Sequence, residues 1–361
     1  MLTSSPTRVL VTGAGGFIGH HLVSYLKQRG CWVRGVDVKR PEYAPSEADE
    51  FLVLDLRRWE QCLVATAGVD EVYALAADMG GMGFISQHHA EILHNNILIS
   101  THTIEAARQS GVRRYLYTSS ACVYPEYRQL SADVQPLKEE DAYPAQPQDA
   151  YGWEKLVTER LCTYYGEEHG MATRIVRFHN IFGPLGTWDG GREKAPAAMC
   201  RKVAIAKLTG HPEIDIWGDG EQTRSFCYID DCVEGISRLM ASDYAEPLNL
   251  GQDRLVTINE LADMVAAIAG TTIDKRHVPG PQGVRGRNSD NARLRTVLGW
   301  EPAISLEEGL ARTYAWVEGQ VRARLAAEAP LADVTPRVDA PVRAPSYTPL
   351  AAPPVVAGHG R

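Results

Sequence analysis

No apolar run in this 361-residue chain approaches the roughly 18 residues that would argue for a transmembrane helix. The first eight residues carry no signal-peptide layout and lead directly into a strand pattern. Paired cysteines are missing as well. The seven thiols, Cys31, Cys62, Cys122, Cys162, Cys200, Cys227 and Cys232, are odd in number and scattered, without metal-ligand spacing. A reduced, cytoplasmic protein without a metal site is the simplest reading. Positive charge is in deficit, and a net charge of −8 argues against a general nucleic-acid binder. What remains, 44% hydrophobic and 23% charged, is the composition of a soluble globular chain, long enough for one large or two medium domains.

The first motif is Gly13-Ala14-Gly15-Gly16-Phe17-Ile18-Gly19, with a strand pattern (8–12) before it and a helical pattern after. Glycines at 13, 16 and 19 suit a tight turn, close backbone approach to a pyrophosphate, and a helix N-terminus aimed at it. A second strand (32–36) ends at Asp37, whose carboxylate suits a ribose hydroxyl and repels a 2′-phosphate, favouring NAD over NADP. Lys39 and Arg40 follow closely and weigh against that preference. A third strand (51–57) delivers Asp55 to its carboxyl end, and a fourth spans 70–77. The loop 78–84, with three glycines and two methionines, reads as substrate-facing, with a flexible connection as the alternative. A helix over 95–110 leads to a strand over 114–118.

That strand ends at Ser119-Ser120, followed by Cys122. Tyr151 and Lys155 then lie one turn apart on one face of a helix predicted to continue to about residue 168. A phenol is a poor base at neutral pH, but a neighbouring ammonium stabilises the phenolate. Serine, tyrosine and lysine together suit proton removal from an alcohol while a nicotinamide takes the hydride. Further strands are expected at 173–178, 214–217, 222–226 and 247–251, and helices at 230–240 and 305–324. Strand–helix alternation implies an α/β fold, a doubly wound (Rossmann) parallel sheet with ligands beyond the strand carboxyl ends. Seven of the 21 prolines fall between 330 and 354, so the tail is expected to be disordered.

The glycine motif, Asp37, Asp55, Ser120, Tyr151 and Lys155 resemble the extended short-chain dehydrogenase/reductases that modify nucleotide sugars. The resemblance narrows to the GDP-mannose 3,5-epimerases through 75–83, 119–125, 148–152, 177–180, 186–188, 190–198, 217–220 and 279–291. It covers roughly residues 8–320. It implies a dinucleotide-binding domain over 1–180 with returning segments from about 225–255. A smaller C-terminal α/β substrate-binding domain would take 181–325, mainly for the nucleotide sugar, leaving a tail over 326–361.

The resemblance further implies bound NAD, GDP-mannose as substrate and a homodimer. NAD would be held by Gly13, Gly16, Phe17, Ile18, Gly19, Asp37, Asp55, Tyr151 and Lys155. Cys122 and Lys194 stand at the family's acid/base positions. Met79, Gly80, Ser120, Cys122, Asn180, Glu193, Lys194, Lys202, Arg224 and Arg285 are implied to hold the substrate, while Arg285 and Arg287 each read on residue chemistry either as a phosphate partner or as surface charge. A 4-keto epimerase-reductase, a UDP-sugar 4-epimerase and a regulator that keeps the fold without chemistry stay open as alternatives.

Overall fold

The computed structural model describes residues 6–327. Six parallel strands come in chain order, β1 (Arg8–Thr12), β2 (Trp32–Asp37), β3 (Glu50–Val53), β4 (Glu71–Ala74), β5 (Arg114–Ser120) and β6 (Ala172–Phe178). With the Pro247–Leu250 strand they form one sheet in the order β3-β2-β1-β4-β5-β6-Pro247–Leu250. The chain leaves β1 toward β2 on one side and later returns to β4 on the other. Between β1 and β4 the winding reverses, and ligands of such sheets sit beyond the strand carboxyl ends at that point.

The side-chain alternation of β1 assigns its two faces. Val9 and Val11 pack with Leu22, Val23 and Leu26 of the Phe17–Gln28 helix, and Leu10 packs on the opposite side with Ile104 and Tyr115. Helices therefore cover both faces, which is why these strands are apolar almost throughout. The first core runs on without a break into the Ala195–Thr209, Ile258–Ala269 and Leu306–Ala327 helices.

Several elements differ from the sequence expectation. β3 ends at Val53, so Asp55 lies in the turn beyond it, where Arg57 holds its carboxylate at 2.8 Å. The glycine-rich loop contains a helical turn, Met82–Ile85. The helix expected from 95 starts earlier and spans His89–Gln109. The Ile258–Ala269 helix was not anticipated, and a capping box starts it: Thr257 Oγ1 accepts from Glu260 N, and the Glu260 carboxylate accepts from Thr257 N. The last helix continues to Ala327, and the rest of the expected tail, 328–361, lies outside the described residues. Among the described residues, no helix is long and apolar enough to cross a membrane.

Candidate functional site

The turn after β1 has the shape a dinucleotide needs. Gly13 has φ +71°, and a Cβ there would press on the Ala76 backbone at 3.0 Å. A Cβ at Gly19 would collide with the Gly13 carbonyl, so the Phe17–Gln28 helix starts tight against the turn. A Cβ at Gly15 would collide with the Lys39 carbonyl, leaving an open cradle at the helix N-terminus. Asp37 ends β2 beneath it, accepting from the Gly15 amide at 3.0 Å and the Lys39 amide at 3.2 Å. Burial raises the Asp37 pKa, opposed by those amides. Phe17 packs on the Gly186 backbone, and Ile18 is partly buried against the core.

Two elements bring together the hydroxyl, phenol and ammonium. Ser120 is the last residue of β5, and its Oγ accepts from Cys122 N at 3.1 Å. The Ala150–His169 helix is started by Asp149, whose carboxylate accepts from Gly152 N at 2.8 Å. That helix seats Tyr151 among Ile85, Ile92, Met79, Phe84 and Cys122. Burial pushes the Tyr151 phenol well above its ordinary pKa, the Glu154 carboxylate adds to this, and a hydrogen bond from Ser120 opposes it. Lys155 Nζ donates to the Thr118 carbonyl at 3.0 Å and lies 5.4 Å from the Tyr151 ring centroid. The helix approaches so closely that a Cβ at Gly152 would collide with the Cys122 carbonyl.

Cys122 occupies a short 3₁₀ turn, Ala121–Val123, directly after Ser120. Its half-exposed thiol receives a hydrogen bond from Arg287 Nη1 at 3.3 Å. Lys194 comes from the far loop as the N-cap residue of the Ala195–Thr209 helix. It presents accessible surface, yet the protein crowded around it lowers its pKa by desolvation; Cys122 and Cys232 oppose the shift, and Arg287 adds to it. Cys122 thus lies beside Ser120 and Tyr151, and Lys194, on a separate element, is within electrostatic reach of its thiol.

Two guanidiniums complete the basic wall. Gly286–Arg287 pairs in parallel with Thr223–Arg224, placing Arg287 opposite Arg224. Arg224 donates to the carbonyls of Thr223, Gln282 and Val284, and among the described residues neither it nor Arg287 has a carboxylate partner. Burial and then Arg287 lower the Arg224 pKa to about 9. Guanidiniums so placed are free to take an anionic group. Arg285 is placed otherwise, with its guanidinium on Asp219 at 2.8 Å.

The other expected residues are each held by partners of their own. Met79 packs beside Tyr151, and Gly80 is buried under Phe84. Gly81 N donates to the Arg192 carbonyl at 3.1 Å, tying the methionine loop to the one that carries Lys194. Glu193 is committed to Arg201 at 2.6 Å and to the Gly191 amide at 2.7 Å. Asn180, at φ +48°, donates to the Ser225 carbonyl at 2.8 Å, and Lys202 Nζ donates to the Asp215 carbonyl at 2.5 Å. Sequence reasoning missed Asn96 and Glu154, two polar groups buried behind the phenol and ammonium; the Glu154 position inside Tyr-x-x-Glu-Lys was the available signal.

Comparison with known proteins agrees with this geometry. The model of the NAD dependent epimerase/dehydratase family matches residues 9–251. The chain is 52% identical over 320 residues to GDP-mannose 3,5-epimerase of Arabidopsis thaliana, covering 88% of this chain and 84% of that one. It is 51% identical over 320 residues to GDP-mannose 3,5-epimerase 1 of Oryza sativa subsp. japonica, covering 88% and 83%. Among solved structures it is similar to UDP-glucose 4-epimerase from Thermotoga maritima with UDP-glucose, with a TM-score of 0.79 at 26% identity over 87% of this chain and 100% of that one.

Proposed function

The chain belongs to the NAD dependent epimerase/dehydratase family, and we propose that it converts GDP-α-D-mannose to GDP-β-L-galactose, with GDP-L-gulose as the product of inversion at C5 alone. One observation carries this reading within the family. A thiol, Cys122, lies beside a complete Ser120–Tyr151–Lys155 set, and an ammonium, Lys194, is within electrostatic reach of it. A simple 4-epimerase or reductase has no use for that extra pair.

The glycine turn and Asp37 fit NAD, which Gly13, Gly16, Phe17, Ile18, Gly19, Asp37, Asp55, Tyr151 and Lys155 would hold. When bound, NAD supplies a hydride acceptor and donor at sugar carbon 4, and is regenerated in each cycle. Tyr151 takes the proton of the 4-hydroxyl, with Ser120 bonded to the phenol and Lys155 supplying positive charge. The resulting 4-ketone acidifies the hydrogens on carbons 3 and 5. Inverting each carbon needs a base on one face of the ring and an acid on the other. Cys122 and Lys194 take these roles, and the lowered pKa of Lys194 makes its neutral form accessible nearer neutrality. Arg287 stabilises negative charge on the Cys122 sulfur as it forms. Tyr151 finally returns its proton to the 4-oxygen.

Arg224 and Arg287, unpaired with carboxylates, suit the diphosphate. Met79, Gly80, Asn180, Glu193, Lys202 and Arg285 form the remainder of the nucleotide-sugar site, mostly on 181–325. Seven free cysteines suit a reducing, cytoplasmic setting, and a homodimer is carried over from the family resemblance. Incubation with GDP-mannose in deuterated water tests the reading by incorporation of deuterium at carbons 3 and 5. Inversion at carbon 4 alone, or net oxidation or reduction, would replace it with one of the related chemistries.

A further inference from the structure

Directly behind the phenol–ammonium pair lies a carboxylate that the reaction outlined above does not use. Glu154 is 0% exposed, on the helix that carries Tyr151 and Lys155. Its Oε1 lies 3.8 Å from Lys155 Nζ and accepts from Asn96 Nδ2 at 3.0 Å. Burial raises its pKa, and Lys155, Asn96 and the Tyr117 hydroxyl oppose that shift. Asn96 is fixed in turn, accepting from the Asp78 amide at 2.6 Å and donating to the Asp78 carbonyl at 3.0 Å. A carboxylate removed entirely from water is costly, so packing alone does not account for this group.

We infer that Glu154 is a positioning residue whose buried carboxylate offsets the charge of Lys155, holding the Tyr151 phenol at an acidity from which it can both take and return the proton of the 4-hydroxyl. The inference rests on the proposed reaction, in which one phenol serves as base in the first step and as acid in the last. A lysine alone would stabilise the phenolate and favour only the first of these. A carboxylate one residue away on the same helix restores the balance, and its burial leaves the charges poorly screened.

The surroundings agree with this role. On its own helix Glu154 is joined by Lys155 and Tyr151; from β5 comes the buried Tyr117, whose hydroxyl lies against the Glu154 carboxylate. From the opposite helix and the loop below it come neutral Asn96 and the backbone of Asp78, whose own carboxylate is turned to Asn95 and Arg192. Lys155 is thus the cation directly against Glu154. After burial, the Glu154 charge is the largest influence raising the Tyr151 pKa.

The test is a tyrosinate absorbance titration of the full-length protein with NAD, taken as the difference from the same protein carrying Tyr151→Phe. Glu154→Gln keeps the shape of the side chain, and Glu154→Met fills its volume without polar atoms; either neutral variant suffices if the other does not fold. Each is expected to lower the Tyr151 midpoint by on the order of one pH unit, and Glu154→Asp to bring it back toward the parent value. With GDP-mannose, the neutral variants are expected to form reduced cofactor normally but to return the hydride more slowly. A midpoint unmoved in folded Gln or Met variants would overturn the inference. Because the titration needs no substrate, inactivity toward GDP-mannose would count against the proposed reaction and leave the titration to decide the role of Glu154.

Discussion

Arg287 Nη1 donates to the Sγ of Cys122 at 3.3 Å, joining a loop far along the chain to the turn after β5. The same guanidinium donates through Nε to Gln129 Oε1 at 2.6 Å, so it is anchored before any substrate arrives. Charge developing on the sulfur therefore meets a fixed cation. Arg287→Met is expected to slow exchange of solvent deuterium into carbons 3 and 5 by on the order of 100-fold. Formation of reduced cofactor from GDP-mannose should fall much less, which a stopped-flow trace at the reduced-nicotinamide band would record. Equal loss of both steps would show that Arg287 serves binding alone.

Tyr151 separates the redox step from the proton exchange. Tyr151→Phe removes the hydroxyl that is bonded to Ser120 while keeping the ring among Ile85 and Ile92. The variant is expected to fold, to bind GDP-mannose, and to form reduced cofactor at least about 100-fold more slowly, the lower end of what one general base contributes. Oxidation at the parent rate would remove Tyr151 from its assigned role.

Gly152 couples stability to the site. Any Cβ there collides with the Cys122 carbonyl, a backbone atom that cannot swing aside. Gly152→Ala is expected to cost about 1–3 kcal/mol of stability and to displace the thiol from Arg287. A lower melting temperature together with loss of epimerisation checks this. A fully active variant of unchanged stability would mean that the helix and the turn part easily.

His179 predicts acid sensitivity. It is fully buried, its Nε2 meets Asn249 Oδ1 at 3.0 Å, and desolvation lowers its pKa from 6.5 to about 3. The folded state therefore refuses a proton that the unfolded chain accepts below 6.5. Stability contributed by neutral His179 is present above pH 6.5 and is lost progressively as the pH falls toward 3. His179→Gln should make the melting temperature fall less steeply between pH 6.5 and 4 than it does in the parent. Identical slopes would assign the acid sensitivity to other groups.

Much of this was legible in the chain. Apolar alternation in β1 and the glycines after it announce a strand, a tight turn and a helix, because local sterics decide all three. Ser120, Tyr151 and Lys155 were readable because helical spacing and strand ends are local as well. The roles of Arg285 and Arg287 were not separable, since both lie in one glycine- and arginine-rich loop. Only pairing with Thr223–Arg224, about 60 residues away in sequence, sends Arg287 to the thiol while Arg285 meets Asp219. Glu154 and Asn96 were hidden for the same reason, since the cost of a buried charge becomes visible only once the Ala150–His169 and His89–Gln109 helices pack together. The Ile258–Ala269 helix did carry a local signal, the Thr257–Glu260 capping box, and it was passed over.

Acid and base roles for Cys122 and Lys194 beside the redox set are tested most directly by isotope exchange. The protein, Cys122→Ala and Lys194→Ala are each incubated with GDP-mannose in deuterated water, and the sugar is read by NMR. Deuterium at carbons 3 and 5 is expected with the parent protein. Either variant is expected to lose that label almost completely, although both still bind GDP-mannose and form reduced cofactor. Label at the parent rate in both variants, or none with the parent protein, would remove Cys122 and Lys194 from the assigned roles or the parent from the proposed reaction.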